Sequence, residues 1–269
     1  MTVAFVLGGG GNLGAIQVGM LQALADEGVR PDLVVGCSVG ALNGAAFASD
    51  PTGDCLDRLA TLWKGLDGRD VLPSRWLSTT VALARRGEAV HTLAGLRAVV
   101  EEFLAGRSFA DLVVPFHCVA TDLEAAAPAW FADGPLVDAL LASCAVPAVY
   151  PPVELDGRRL VDGAVVDDVP VGRAVELGAD LLYVLTVGTV DRPRRPPRRP
   201  LDAAVAAYWV ARRHRLRREL AVLPAGVEAV LLPTGDPPAV RPHDLTRAGA
   251  LIATAREATA AALAARRGR

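Results

Sequence analysis

Within its first forty residues the chain twice passes from a short apolar run into glycines and then into a helical pattern. Val3 to Leu7 leads into Gly8-Gly9-Gly10-Gly11-Asn12-Leu13-Gly14, and Leu33 to Val35 leads into Gly36-Cys37-Ser38-Val39-Gly40. After the first turn, Ile16, Met20, Leu21 and Leu24 recur at helical spacing. A strand that turns at once into a helix, twice in succession, is the building unit of a parallel sheet covered by helices. The first turn offers a row of bare backbone N–H groups. The second offers a serine between glycines on a tight turn, the pattern of a nucleophile elbow. An anion hole beside an exposed hydroxyl is what acyl transfer requires, so the pair points to a serine hydrolase.

The alternation continues along all 269 residues. Periodicity and turn residues predict strands over 3–7, 33–35, 115–121, 129–131, 159–161, 181–187 and 227–232. They predict helices over 14–27, 38–48, 55–66, 92–104, 136–142, 171–177 and 201–223, and another from 247. The fold class expected is α/β with a mostly parallel sheet. Residues 1–191 form the expected catalytic core, 192–200 a Pro/Arg linker, and 201–269 a helical segment with one strand packed on the same domain.

Hydrophobic residues make up 52% of the chain but aromatics only 5%, which suits a helix-rich globule. No apolar run approaches the ~18 residues of a membrane span, and no leader pattern opens the chain, so a cytoplasmic location is expected. Cys37, Cys55, Cys118 and Cys144 are widely spaced and read as reduced, buried thiols. With only four scattered histidines, no metal site or cofactor is expected. A net charge of −2 gives no general pull toward nucleic acid.

Each motif has a competing reading. Gly9-x-Gly11-x-x-Gly14 fits a dinucleotide fingerprint, but that fingerprint wants an acid at the end of the second strand, and Asp32 precedes it. A non-catalytic nucleotide- or lipid-binding module is therefore the alternative from another class. Ser38 also suits a helix cap, although a cap does not explain Gly36 and Gly40 around it. For a base there are two options. Asp162 lies between a strand-like run and Gly163, where a plain turn aspartate is equally at home, and His243 comes late enough in the chain to complete a Ser-His-Asp triad.

Gly9-Gly10-Gly11-x-x-Gly14, Gly36-Cys37-Ser38-Val39-Gly40 and Asp162-Gly163-Ala164, in this order, resemble the patatin-like phospholipase family. The stretches 15–21, 40–45, 120–123 and 143–147 add to the resemblance, which covers residues 3–190. It implies a three-layer α/β/α sandwich, a Ser38–Asp162 dyad with no histidine, and an oxyanion hole of Gly9, Gly10 and Gly11 amides. The reaction it implies is hydrolysis of acyl esters of phospholipids, lysophospholipids or related lipids. One departure is Leu13, where the family usually has arginine or lysine, and this weakens the expectation of phosphate recognition.

Ten arginines crowd residues 192–218. The linker reads as an extended tether. The helix after it sets Leu201, Val205, Tyr208, Leu216 and Leu220 on one stripe beside Arg212, Arg213, Arg215, Arg217 and Arg218. That arrangement suits peripheral contact with an anionic membrane, and equally an ordinary packed helix with a solvated basic face.

Overall fold

The computed structural model describes residues 1–66, 92–104, 106–188, 200–238, 240 and 244–268. Among these residues eight strands form one sheet: β1 (Val3–Leu7), β2 (Leu33–Cys37), β3 (Phe116–Asp122), β4 (Ala127–Phe131), β5 (Val153–Leu155), β6 (Arg158–Asp162), β7 (Leu181–Leu185) and β8 (Glu228–Leu231). The order is β5-β6-β3-β2-β1-β7-β8, and β4 also pairs with β3. From β3 across to β8 all neighbours run parallel. β4 and β6 are antiparallel to β3, and β5 is antiparallel to β6.

Short connections make the β3–β4 and β5–β6 pairs antiparallel, since neither leaves room for a crossover helix. The β5–β6 hairpin turns on Asp156-Gly157, both with positive φ (52° and 72°), as a two-residue hairpin loop demands. Strand β5 is absent from the sequence-based expectation, although its Asp-Gly turn is a recognised hairpin signal.

The β1 side chains alternate between two cores. Phe5 and Leu7 join the larger one, which is covered by α1 (Ala15–Asp26), α2 (Val39–Ser49), α3 (Gly53–Gly65), α4 (Ala94–Leu104), α5 (Leu136–Ser143) and α8 (Ala248–Arg267). Ala4 and Val6 join the smaller one beneath α6 (Val171–Glu176) and α7 (Pro200–Ala221), where Leu216 is buried. The result is three layers, helix, sheet and helix.

Strand register explains how two distant parts of the chain meet. Residues 118 and 119 of β3 pair with both β2 and β4, so those two strands lie on opposite edges. Residues 120–122 pair with both β4 and β6, which puts β6 on the same edge as β2. Cys37 pairs with Val119, and Asp162 pairs with Ala120. β2 and β6 therefore approach head to head along one edge of β3. Ser38 leaves one strand end where Asp162 closes the other.

Candidate active site

Ser38 follows β2 with φ 53° and ψ −127°, a conformation rare for any residue with a side chain. The turn is so tight that a methyl group on Gly36 would lie 2.6 Å from the Gly40 carbonyl oxygen. Gly40 in turn packs against the Leu7 and Gly8 carbonyls, which brings the elbow and the glycine loop together. Ser38 begins α2 but makes no capping bond with its side chain. Instead its Oγ donates to Asp162 Oδ2 at 2.6 Å, and its backbone N–H donates to Ser143 Oγ at 2.9 Å.

Asp162 is held on every side. Its N–H donates to the Ala145 carbonyl at 2.9 Å, and its own carbonyl accepts from Thr121 Oγ1 at 2.9 Å. Oδ1 accepts from the Ala164 N–H at 2.8 Å within the short 3₁₀ turn Gly163–Val165. The side chains of Ser38 and Asp162 are both buried. Burial pushes the Asp162 carboxyl above the usual carboxylate range, opposed by the Ser38 hydroxyl, the Ala164 amide and the charge of Arg212. A carboxylate with raised proton affinity, hydrogen-bonded to a serine on a strained turn, can accept that serine's proton.

The glycine loop connects β1 to α1 through a 3₁₀ turn, Gly11–Gly14, with Gly11 at φ 59°. It is fastened from below. The Gly8 carbonyl accepts from Gln17 Nε2 at 2.7 Å, and the Gly14 carbonyl accepts from Asn43 Nδ2 at 3.0 Å. Asn43 also donates to Gln17 Oε1 and accepts from Trp63 Nε1, so α1, α2 and α3 share one buried polar network. The Gly9 N–H donates to the Asp168 carbonyl at 3.0 Å. Among the described residues neither the Gly10 nor the Gly11 N–H meets an acceptor, and these two amides stay open.

Several competing features fall elsewhere. Asp32 binds the Val3 N–H at the opposite end of β1 from the glycines, so it is no ribose ligand at the glycine loop. Leu13 is half-buried and packs against the larger core. All four cysteines are free and buried. His243 and residues 192–199 lie outside the described residues.

The arginine-rich helix corrects one expectation. Arg212 does not face outward; its side chain is 8% exposed and pairs with Asp168. Arg215 pairs with Asp167 and Glu219. Near Ser38 the sequence gives no signal for Asp168 or Arg212. Ser143, Gln17 and Asn43 lie in stretches that carried the resemblance, without any hint of their partners.

Comparison with known proteins places the chain in a family. The family model for patatin-like phospholipase matches residues 5–175. The NTE family protein Rv1063c of Mycobacterium tuberculosis is 33% identical over 210 residues, covering 78% of this chain and 55% of that protein. A lysophospholipase of Aspergillus terreus is 30% identical over 193 residues, covering 71% of this chain and 12% of its own length. The chain thus spans about half or less of these relatives. The crystal structure of VipD from Legionella pneumophila superposes with a TM-score of 0.50 at 14% identity, covering 97% of this chain and 67% of that one. With the family model matching well over half of its length, the chain belongs to the patatin-like phospholipase family.

Proposed function

We propose that this chain hydrolyses acyl esters of phospholipids or lysophospholipids through a covalent acyl-serine. The observation that carries the reading is the 2.6 Å hydrogen bond from Ser38 Oγ to Asp162 Oδ2 on a strained elbow. Ser38 Oγ attacks the ester carbonyl as its proton passes to Asp162. The tetrahedral oxyanion is met by the free amides of Gly10 and Gly11, while Gly9, its own N–H engaged by Asp168, holds the loop in place. Each such preorganised donor is worth ~3–4 kcal/mol of barrier. Collapse breaks the ester C–O bond, and Asp162 returns the proton to the departing alcohol. Water then attacks the acyl-serine with Asp162 again as base, releasing the fatty acid and restoring Ser38.

Exposed apolar side chains support a lipid substrate. Val146 and Val165 each stand one residue from the Ala145 and Ala164 backbone groups that grip Asp162, and both are exposed. Peripheral contact with an anionic membrane belongs to the same reading. With Arg212 and Arg215 engaged by carboxylates, that contact falls to exposed positions such as Arg218 and to the arginines of 192–199. No described helix is long and apolar enough to cross a membrane.

The test is labelling by a fluorophosphonate, with the modified peptide mapped by mass spectrometry, alongside fatty-acid release from lysophosphatidylcholine. Labelling at Ser38, lost in Ser38→Ala together with hydrolysis, is the expected result. Hydrolysis that survives Ser38→Ala sinks the assignment.

A further inference from the structure

Arg212 stands on α7, beyond the stretch that matches the family model, yet its guanidinium ends at the glycine loop. Asp168 joins the two. Its carbonyl accepts the Gly9 N–H, and its carboxylate pairs with Arg212 Nη2. A methyl group placed on the Gly9 α-carbon would lie 2.8 Å from Asp168 Oδ1, 3.4 Å from Arg212 Nη2 and 3.3 Å from Ser38 Cβ. The ion pair, the loop and the serine thus converge on one spot. The guanidinium is further fixed by the rings of Tyr208 and Trp209, whose centroids lie 5.1 and 4.5 Å away. Its Nε is buried and meets no acceptor among the described residues. Burying a cation in this way adds little stability, since desolvation consumes most of what pairing returns.

We propose that Arg212 is a positioning residue for the hydrolytic site: paired with Asp168, it clamps Gly9 beside Ser38, holds the Gly10 and Gly11 amides in place, and brings a positive charge to the dyad. The proposal rests on the Ser38–Asp162 reading above. Around Asp162 the ionisable neighbours are Cys37, Cys144, Tyr208 and Arg212, with Asp167 acting on Cys37. Burial pushes both thiols and the phenol up, so they stay neutral. Arg212 is the cation that favours the carboxylate.

Hydrolysis of a soluble p-nitrophenyl ester across the acid limb tests this. Arg212→Met is expected to lower kcat ~100-fold, the usual consequence of displacing catalytic groups by ~1 Å, with little change in KM. It also moves the acid limb of kcat/KM to higher pH. Arg212→Lys keeps the charge and therefore the limb, while losing the fork and part of kcat. Asp168→Asn lowers kcat, and the double variant with Arg212→Met is no worse than Arg212→Met alone. His214→Gln, exposed on the same helix, serves as the control at wild-type rate.

A folded Arg212→Met with wild-type kcat or an unmoved limb overturns the proposal. If near-ultraviolet circular dichroism shows that this variant does not fold, Arg212→Lys and Asp168→Asn decide instead, and wild-type kcat in both overturns it. Fluorophosphonate labelling separates the two levels. A wild-type protein unlabelled at Ser38 sinks the underlying reading, whereas variants labelled at the wild-type rate sink only the role of Arg212.

Discussion

Ser38 occupies a backbone region that costs a residue with a side chain roughly 1–3 kcal/mol, and its Oγ has its partner in Asp162 rather than in a helix cap. Ser38→Ala and Ser38→Gly lose that hydrogen bond equally but differ in backbone freedom. The glycine variant is therefore expected to be ~1 kcal/mol more stable than the alanine variant, with both inactive. Urea unfolding reads the difference, and an alanine variant of equal or greater stability contradicts the strain. Asp162 must be deprotonated to act as base, and burial raises its proton affinity. Activity should fall as pH drops through an acid limb lying above the ordinary carboxylate value of ~4, and Asp162→Asn should lower kcat ~100-fold or more. A limb at the ordinary value, or near-wild-type kcat in the variant, counts against the assignment. Asp167 titrates through stability instead. Burial, then Glu219, push its carboxyl up to about 7, against the pull of Arg215. The folded state then holds a proton that the unfolded chain has already released, so stability declines as pH rises from ~4 to ~7. Asp167→Asn should remove this decline, leaving the variant ahead by ~2–4 kcal/mol at neutral pH. Matched urea midpoints for the two proteins across that window are the check, and parallel curves count against it.

Elements divide into those that local pattern reveals and those that depend on partners. Both glycine turns, the serine within the second and most helices were readable because each sets its own backbone, through glycine geometry or apolar spacing. Asp162 is named as the partner of Ser38 by the resemblance alone, since its local sequence suits a plain turn aspartate equally well. Its place beside Ser38 depends on β2 and β6 sharing one edge of β3, a register no single segment encodes. The same holds for α7. Its arginine run reads as a basic face, and only packing shows Arg212 turned inward while Leu216 anchors the helix to the smaller core. A prediction separates these roles. Leu216→Ala should cost ~2–5 kcal/mol by opening a cavity under α7. Arg218→Gln should leave stability unchanged and reduce binding to phosphatidylglycerol vesicles at low salt, where a surface cation contributes ~1 kcal/mol. Co-sedimentation that is unaltered by the second change, or equal on neutral vesicles, removes α7 from any membrane surface.

The whole molecule depends on its last helix. α8 lies against α1 so closely that a methyl group on Gly19 would collide with the Ile252 carbonyl, and 2.9 Å would separate it from the Arg256 amide nitrogen. Ala248, Leu251, Ile252, Ala255 and Leu263 belong to the same buried core as Ile16, Met20 and Leu24. Arg256 pairs with Asp26, and Arg267 with Glu27, along the same seam. The large side chains among them contribute ~1.5–3 kcal/mol each on burial, and their loss would also leave the facing side of α1 wet. That total is comparable with the ~5–15 kcal/mol by which a whole domain is stable. Because α1 begins at the glycine loop, loosening it would also loosen the amides above Ser38. A chain ending at Arg247 is therefore expected to aggregate or expose apolar surface and to lose fluorophosphonate labelling. Gly19→Val in the full chain should lower stability by ~1–3 kcal/mol through overpacking alone. Size-exclusion chromatography and thermal melts read both, and a shortened chain that stays monomeric, melts at the wild-type temperature and labels normally shows that α8 is dispensable.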